Sequence, residues 1–218
     1  MNNYYRLITA LVGVVALLVG SAISSSALAQ QPPRPTLQGL QDQINTLNTR
    51  VNNPDPPCAD TTNRYVDCGN GTVTDTVTGL IWLKNAYCFG NTTQLYKDAI
   101  AAAANLADGN CGLSDHSKPG DWRLPTPGEW QATVHQASVL GCTGSNGPSL
   151  TNTPGIACYN AGPQPFPNVT TSYFWSSTSL EDNPSQVHVI LLYDSLFYGN
   201  PKNGTGGSVY AWPVRGSR

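Results

Sequence analysis

Residues Gly120–Trp130 read "GDWRLPTPGEW", placing two tryptophans and two prolines beside Asp121, Arg123 and Glu129. Thr126, Pro127 and Glu129 form a helix start. The threonine hydroxyl caps, proline occupies the first helical position where its missing N–H is not needed, and Glu129 closes a capping box. This predicts a helix running to about Leu140. Upstream, Trp122 and Leu124 are expected in the core, and Arg123 between them is expected to satisfy loop carbonyls and pair with Asp121 or Glu129. The stretch therefore reads as a structural knot rather than a catalytic or anion-binding centre.

Before the knot, "NGTVTDTVTGLIWLKNA" alternates Thr and Val, turns around Thr78-Gly79 and resumes as Leu80–Leu83, which predicts a β-hairpin. The alanine-rich "TQLYKDAIAAAANLADG" predicts a helix capped by Thr92 or Thr93 and stopped by Gly109. Its apolar stripe is Leu95, Ala99, Ala102, Ala103 and Leu106. Beyond the knot, "YFWSSTS", "SQVHVILLYDSLFYG" and "SVYAWPVRG" predict antiparallel strands near 173–177, 186–193, 195–199 and 208–215. The connection "NPKNGTGG" is expected to be exposed and mobile. Two helices ahead of a run of strands give an α+β domain over residues 58–218.

Residues 1–29 carry Arg6, an apolar run from Leu7 to Ile23 and Ala27-Leu28-Ala29, the pattern of a secretory signal peptide cleaved after Ala29. An uncleaved anchor is the alternative. Residues 30–57 form a Pro-flanked linker. Within it Leu37, Leu40, Ile44, Leu47 and Val51 recur at heptad spacing, which predicts a short helix over about 36–51. Two heptads are marginal alone, so the expected role is an oligomerisation stalk, dimeric or trimeric, aided by contacts between the globular domains. A helix packed on its own domain is the alternative.

Export fits the composition. Charged residues make up 11% of the chain, under half of the roughly 25% usual for soluble domains. A net charge of −2 supplies no general basic surface for nucleic acid or other polyanions. The six cysteines, Cys58, Cys68, Cys88, Cys111, Cys142 and Cys158, suggest disulfides. Of the pairings open to them, sequential closure is favoured because each successive pair brackets a loop rich in Gly, Asn or Pro. No CxxC occurs, and His116, His135 and His188 lack ligand spacing, so no metal or cofactor is expected.

The ordered motifs "NGTVTDTVTGLIW", "GDWRLPTPGEW", "YFWSSTS" and "YAWPVRG" resemble the C-terminal domain of the Legionella collagen-like adhesin and the bacterial domain family around it, over nearly all of residues 65–216. That family is similar in turn to the formylglycine-generating sulfatase-modifying enzymes. The resemblance therefore implies a disulfide-stapled variant of the C-type lectin-like fold, with "DWRLPT" and the Trp175 segment "WSS" as core features. The sulfatase-modifying enzymes depend on a cysteine pair near the C-terminal end of the fold, and no cysteine follows Cys158 here. Calcium-dependent lectin motifs are absent, and "EDNPSQ" at 181–186 is a poor substitute.

Hydrolase, zincin, phosphate-loop and dinucleotide motifs are also missing. Asp75, Asp98, Asp121, Glu129, Glu181 and Asp194 show no spacing that marks a glycosidase pair. The expectation is a non-enzymatic binding module, secreted, periplasmic or on the outer surface of a bacterium, that recognises an extracellular glycan or protein. The adhesin that it resembles binds sulfated glycosaminoglycans, which requires clustered basic residues, whereas those of this chain are dispersed. Tyr193, Tyr198, Asn200, Lys202 and Asn203 supply the expected contact surface, since aromatic faces beside amides suit a neutral glycan or a protein. A structural surface or appendage subunit is the alternative.

Overall fold

A computed structural model of the chain describes residues 36–38, 40, 41, 44, 55–90, 94–203 and 208–216. The signal segment lies outside these residues, as do Leu47 and Val51 of the heptad stripe. The chain divides into two units, residues 1–42 and 43–218. In the first, the amide of Leu40 donates to the Thr36 carbonyl at 3.0 Å, and Leu37 and Leu40 are helical and exposed. Ile44, in the second unit, is also helical and exposed.

From residue 55 onward the second unit contains eight strands and two α-helices among its described residues. In chain order they are β1 (Tyr65–Asp67), β2 (Thr72–Asp75), β3 (Leu80–Leu83), α1 (Tyr96–Ala104), α2 (Pro127–Val139), β4 (Tyr173–Ser179), β5 (Gln186–Leu191), β6 (Leu196–Pro201), β7 (Val209–Tyr210) and β8 (Val214–Gly216). One sheet has the order β1-β2-β3-β8 and the other β6-β5-β4-β7. The architecture is α+β and rich in antiparallel pairs, with three disulfides.

The predicted hairpin is β2–β3, and Gly79 turns it with φ +72°. Every residue of both strands is buried, so the Thr/Val alternation does not separate a wet face from a dry one. β1 covers one side of β2, a short strand that the sequence pattern did not predict.

The C-terminal prediction needs a larger correction. Residues 208–215 are not one strand: Ala211-Trp212-Pro213 interrupts them. β7 pairs in parallel with β4 in the second sheet, whereas β8 pairs with β3 in the first. β7 and β8 thus stitch the two sheets together.

The first helix is also shorter than expected. It starts at Tyr96 behind Leu95, which makes no side-chain cap, and it ends at Asn105. Thr92 and Thr93 lie outside the described residues, and Gly109 (φ +84°) sits in a later turn. Tyr96, Ala99 and Ala103 are buried, whereas Leu95 and Ala102 are only half-buried. The small alanines allow α1 to pack close against Trp175, Val187 and Val189.

The opposite face of the same sheet presents Phe174 and Ile190 to the main core, which includes Trp130 and Val134 of α2. All five tryptophans are buried. Trp82 lies 4.9 Å from both Trp130 and Trp212, and Phe166 meets Trp212 edge-on at 4.8 Å. Offset and edge-to-face contacts of this kind are the favourable aromatic geometries.

The disulfides are Cys58–Cys68, Cys88–Cys111 and Cys142–Cys158, the sequential set. Loops of these lengths stabilise by about 3 kcal/mol each when unstrained. Cys88–Cys111 encloses α1. Among the described residues no helix is long and apolar enough to cross a membrane.

Candidate ligand-binding surface

The "GDWRLPTPGEW" segment is a densely bonded structural element. Thr126 caps α2 and Glu129 closes the capping box. The Arg123 guanidinium forks onto the Glu129 carboxylate at 2.7 and 2.6 Å and donates to the Leu124 carbonyl at 3.2 Å. Burial raises the Glu129 pKa, but hydrogen bonds from Arg123 and Thr126, together with the Arg123 charge, hold it below the usual range. Asp121 instead accepts from the Lys118 amide. Main-chain bonds between Arg123 and Val214 tie the segment to β8.

Two further ion pairs, not anticipated from sequence, lie inside the domain. Arg64 forks onto Asp75 at 3.0 and 2.8 Å and donates to the Thr133 carbonyl of α2 at 2.9 Å. Arg215 lies 3.1 Å from Asp115, with its guanidinium 5.4 Å from the centre of the Trp122 ring. Each partner is almost fully buried. The sequence signal for them is weak, because neither arginine is near its carboxylate along the chain.

These pairs withdraw two arginines from the surface. Arg64, Lys84, Arg123 and Arg215 are each committed to a carboxylate. Lys202 hangs over the Tyr96 ring, 5.8 Å from its centre. The folded domain therefore does not gather its dispersed cations into a basic cluster from these residues.

The five predicted ligand residues do not meet at one point. Tyr193 lies in the β5–β6 turn, and Lys202 lies just past the far end of β6. A six-residue strand separates them by roughly 20 Å. Asn200 is only 4% exposed, which corrects its expected role as a surface contact: it pairs with Val187 on the α1-covered sheet. Asn203 is exposed. The rest of the "NPKNGTGG" connection is divided, with Pro201 in β6 and residues 204–207 outside the described set. Tyr198 is exposed, meets Tyr173 edge-on at 5.7 Å and donates to Asp194 at 3.0 Å. Tyr193 is 53% exposed, and Leu196 beside it is 55% exposed.

A groove of about 500 Å³ borders the segment after Gly144, the glycine against which the Tyr193 ring packs. It is lined by Leu140, Ser145, Asn146, Ala157, Cys158, Asn160 and Ala161. The wall is held from both sides. The Gly144 and Ser149 amides donate to the Tyr193 and Leu192 carbonyls at 2.7 Å each. The Cys142–Cys158 disulfide and the Thr151–Cys158 bridge fix the opposite strip. Sequence reasoning missed the groove because its lining comes from a loop-rich region without periodic pattern.

Among the described residues no group of three or more His, Cys, Asp or Glu is arranged to hold a metal ion. His116 pairs with Asp55 at 3.0 Å. The hydrogen bond to Asp55 raises its pKa above the ordinary imidazole value.

The fold and this surface together define a disulfide-stapled α+β domain with a buried aromatic core and a groove that no charged side chain lines among the described residues. The chain belongs to the Lcl C-terminal domain family, which it matches over residues 71–215. β1 and the Cys58–Cys68 disulfide precede the matched segment. Membership makes this a bacterial surface-related domain, and its disulfides are consistent with an extracellular location. A comparison with curated proteins finds no match to the chain.

Proposed function

We propose that the protein is an exported binding module that recognises an extracellular glycan or protein without chemically altering it. The observation that carries this reading is a rigid, disulfide-fixed scaffold with an open groove and exposed aromatics, Tyr193 and Tyr198, in a family of bacterial surface domains. Preformed sites bind with little ordering cost. The ionisable groups fit structural roles better than catalytic ones: Arg123–Glu129, Arg64–Asp75 and Arg215–Asp115 each brace the fold. In the same reading the domain is a C-type lectin-like variant, a proposal supported by the two small sheets flanked by helices and stapled by disulfides.

The test is a glycan array probed with the purified protein, followed by mass spectrometry of the recovered glycans. Retention of unmodified glycans supports a binding module. Cleaved or modified products would make it an enzyme.

A second reading is favoured by one observation: Leu37, Leu40 and Ile44 are helical and exposed at heptad spacing. An apolar sequence repeat of this kind suits a homo-oligomeric stalk. If the domain binds nothing and assembles into ordered arrays, it is a structural surface subunit.

A further inference from the structure

Tyr193 and Gly144 supply the starting geometry. A Cβ built on Gly144 would lie 2.0 Å from Cδ2 of the Tyr193 ring, so the ring rests directly on the glycine backbone. One face is pinned there, yet the residue remains 53% exposed. The main-chain bond from the Gly144 amide to the Tyr193 carbonyl fixes the same contact. The result is a rigid aromatic platform whose partner segment, Gly144–Asn146, continues directly into the groove wall.

The chemistry of the groove is selective. Its side chains offer amides and a hydroxyl from Asn146, Asn160 and Ser145, and apolar surface from Leu140 and Ala157. Among the described residues no Asp, Glu, Lys, Arg or His lines it, and Cys158 is oxidised to a disulfide. A sulfated or carboxylated ligand would be desolvated there without a counter-charge, which is unfavourable. A neutral sugar presents hydroxyls to the amides and an apolar C–H face to an aromatic ring. An amide-lined groove beside a pinned ring matches both faces.

We propose that this groove, together with Tyr193, binds one or two residues of a neutral oligosaccharide, with the sugar ring stacked on Tyr193 and its hydroxyls bonded by Asn146 and Asn160. The inference rests on the reading of the domain as a binding module and names the site and ligand class for it. Preorganisation follows from the construction: the disulfide and the two main-chain bonds to the β5–β6 turn hold the wall before any ligand arrives.

The experiment is an affinity titration of the full chain with neutral hexose and N-acetylhexosamine oligosaccharides, with heparin as the anionic control. Wild type is compared with Tyr193→Ala, Tyr193→Phe, Asn160→Ala and Gly144→Ala. Near-ultraviolet circular dichroism serves as the check on folding. Tyr193→Ala should weaken neutral-sugar binding by at least about tenfold, the scale of losing one anchoring aromatic contact. Tyr193→Phe should retain it, because stacking needs the ring and not the hydroxyl. Gly144→Ala, whose new methyl group displaces the ring without straining a left-handed backbone, should also weaken binding.

Neutral-sugar binding unchanged in Tyr193→Ala and Asn160→Ala would overturn this site while leaving the binding module intact, as would binding of heparin alone. Absence of binding to every probe would overturn the site and the glycan reading together.

Discussion

The indole N–H of Trp130 in α2 donates to the main-chain carbonyl of Trp175 in β4, 3.2 Å away and fully buried. Trp175 in turn donates its own indole N–H to the Gln94 carbonyl ahead of α1 at 3.1 Å. Trp212 donates to the Leu83 carbonyl of β3 at 2.7 Å. The motifs that stand far apart in sequence are thus fastened to one another through their tryptophans. Each of these three rings contributes apolar burial and also satisfies a main-chain acceptor. Trp130→Phe should lose the bond to Trp175 and leave a partly filled space, destabilising the domain by about 2 kcal/mol. Urea unfolding followed by fluorescence measures this.

The Arg64–Asp75 pair predicts strong non-additivity. Removing one partner strands a buried charge, so Asp75→Asn or Arg64→Met should each destabilise by about 3–5 kcal/mol. The double variant Arg64→Met/Asp75→Asn should cost clearly less than the sum. A double-mutant cycle from denaturant unfolding checks this, and additivity would mean that the pair is not energetically coupled.

Glu129 carries a pH prediction. Its folded pKa is depressed, so its contribution is present above the unfolded carboxylate value and is lost as pH falls through the folded one. The stability gap between wild type and Glu129→Gln should be full at pH 7 and should shrink on acidification below pH of about 4.5. Thr126→Ala should cost about 1 kcal/mol through loss of the cap.

His116 behaves with the opposite sign. Its raised pKa means that the contact with Asp55 contributes fully below the ordinary imidazole value and is lost as pH rises through the folded value. Asp55 also bonds Asn70 through its other carboxylate oxygen and the Asp115 carbonyl through its amide. Proton NMR titration should therefore find the His116 pKa above that of a model imidazole. Asp55→Asn should bring it down.

Gly71 allows a close approach between the β2 end and the Cys111 loop. Its φ is +84°, and a Cβ there would lie 2.4 Å from the Gly112 carbonyl oxygen. Gly71→Ala should destabilise by more than about 1 kcal/mol, from backbone strain and steric conflict together. Gly69→Ala, in open space but with a similar φ, separates the two effects.

Local chemistry made much of the fold readable. The Thr126–Glu129 capping box, the β2–β3 hairpin and the sequential cysteines all depend on residues near in sequence, where spacing carries the information. What escaped prediction depends on long-range pairing. The splitting of residues 208–215 between two sheets follows from Trp212 and Val214 packing into the first core while Val209 completes the second, and no short window contains that competition. Arg64–Asp75 and Arg215–Asp115 were hidden for the same reason. Tyr193 stood out in the sequence as one of the tyrosines beside amides near the last hairpin, but its packing on Gly144 required the folded β5–β6 turn. Asn200 shows the reverse error, since an amide near tyrosines looks like a contact surface until the strand register buries it.

The groove is proposed to recognise an uncharged ligand. The most direct measurement is wild-type binding across a glycan array at low and physiological salt, with and without calcium. Because screening weakens charge-mediated contacts and leaves stacking and neutral hydrogen bonds largely intact, binding to neutral oligosaccharides should be insensitive to salt and to calcium. Binding confined to sulfated glycans and abolished by salt would contradict it.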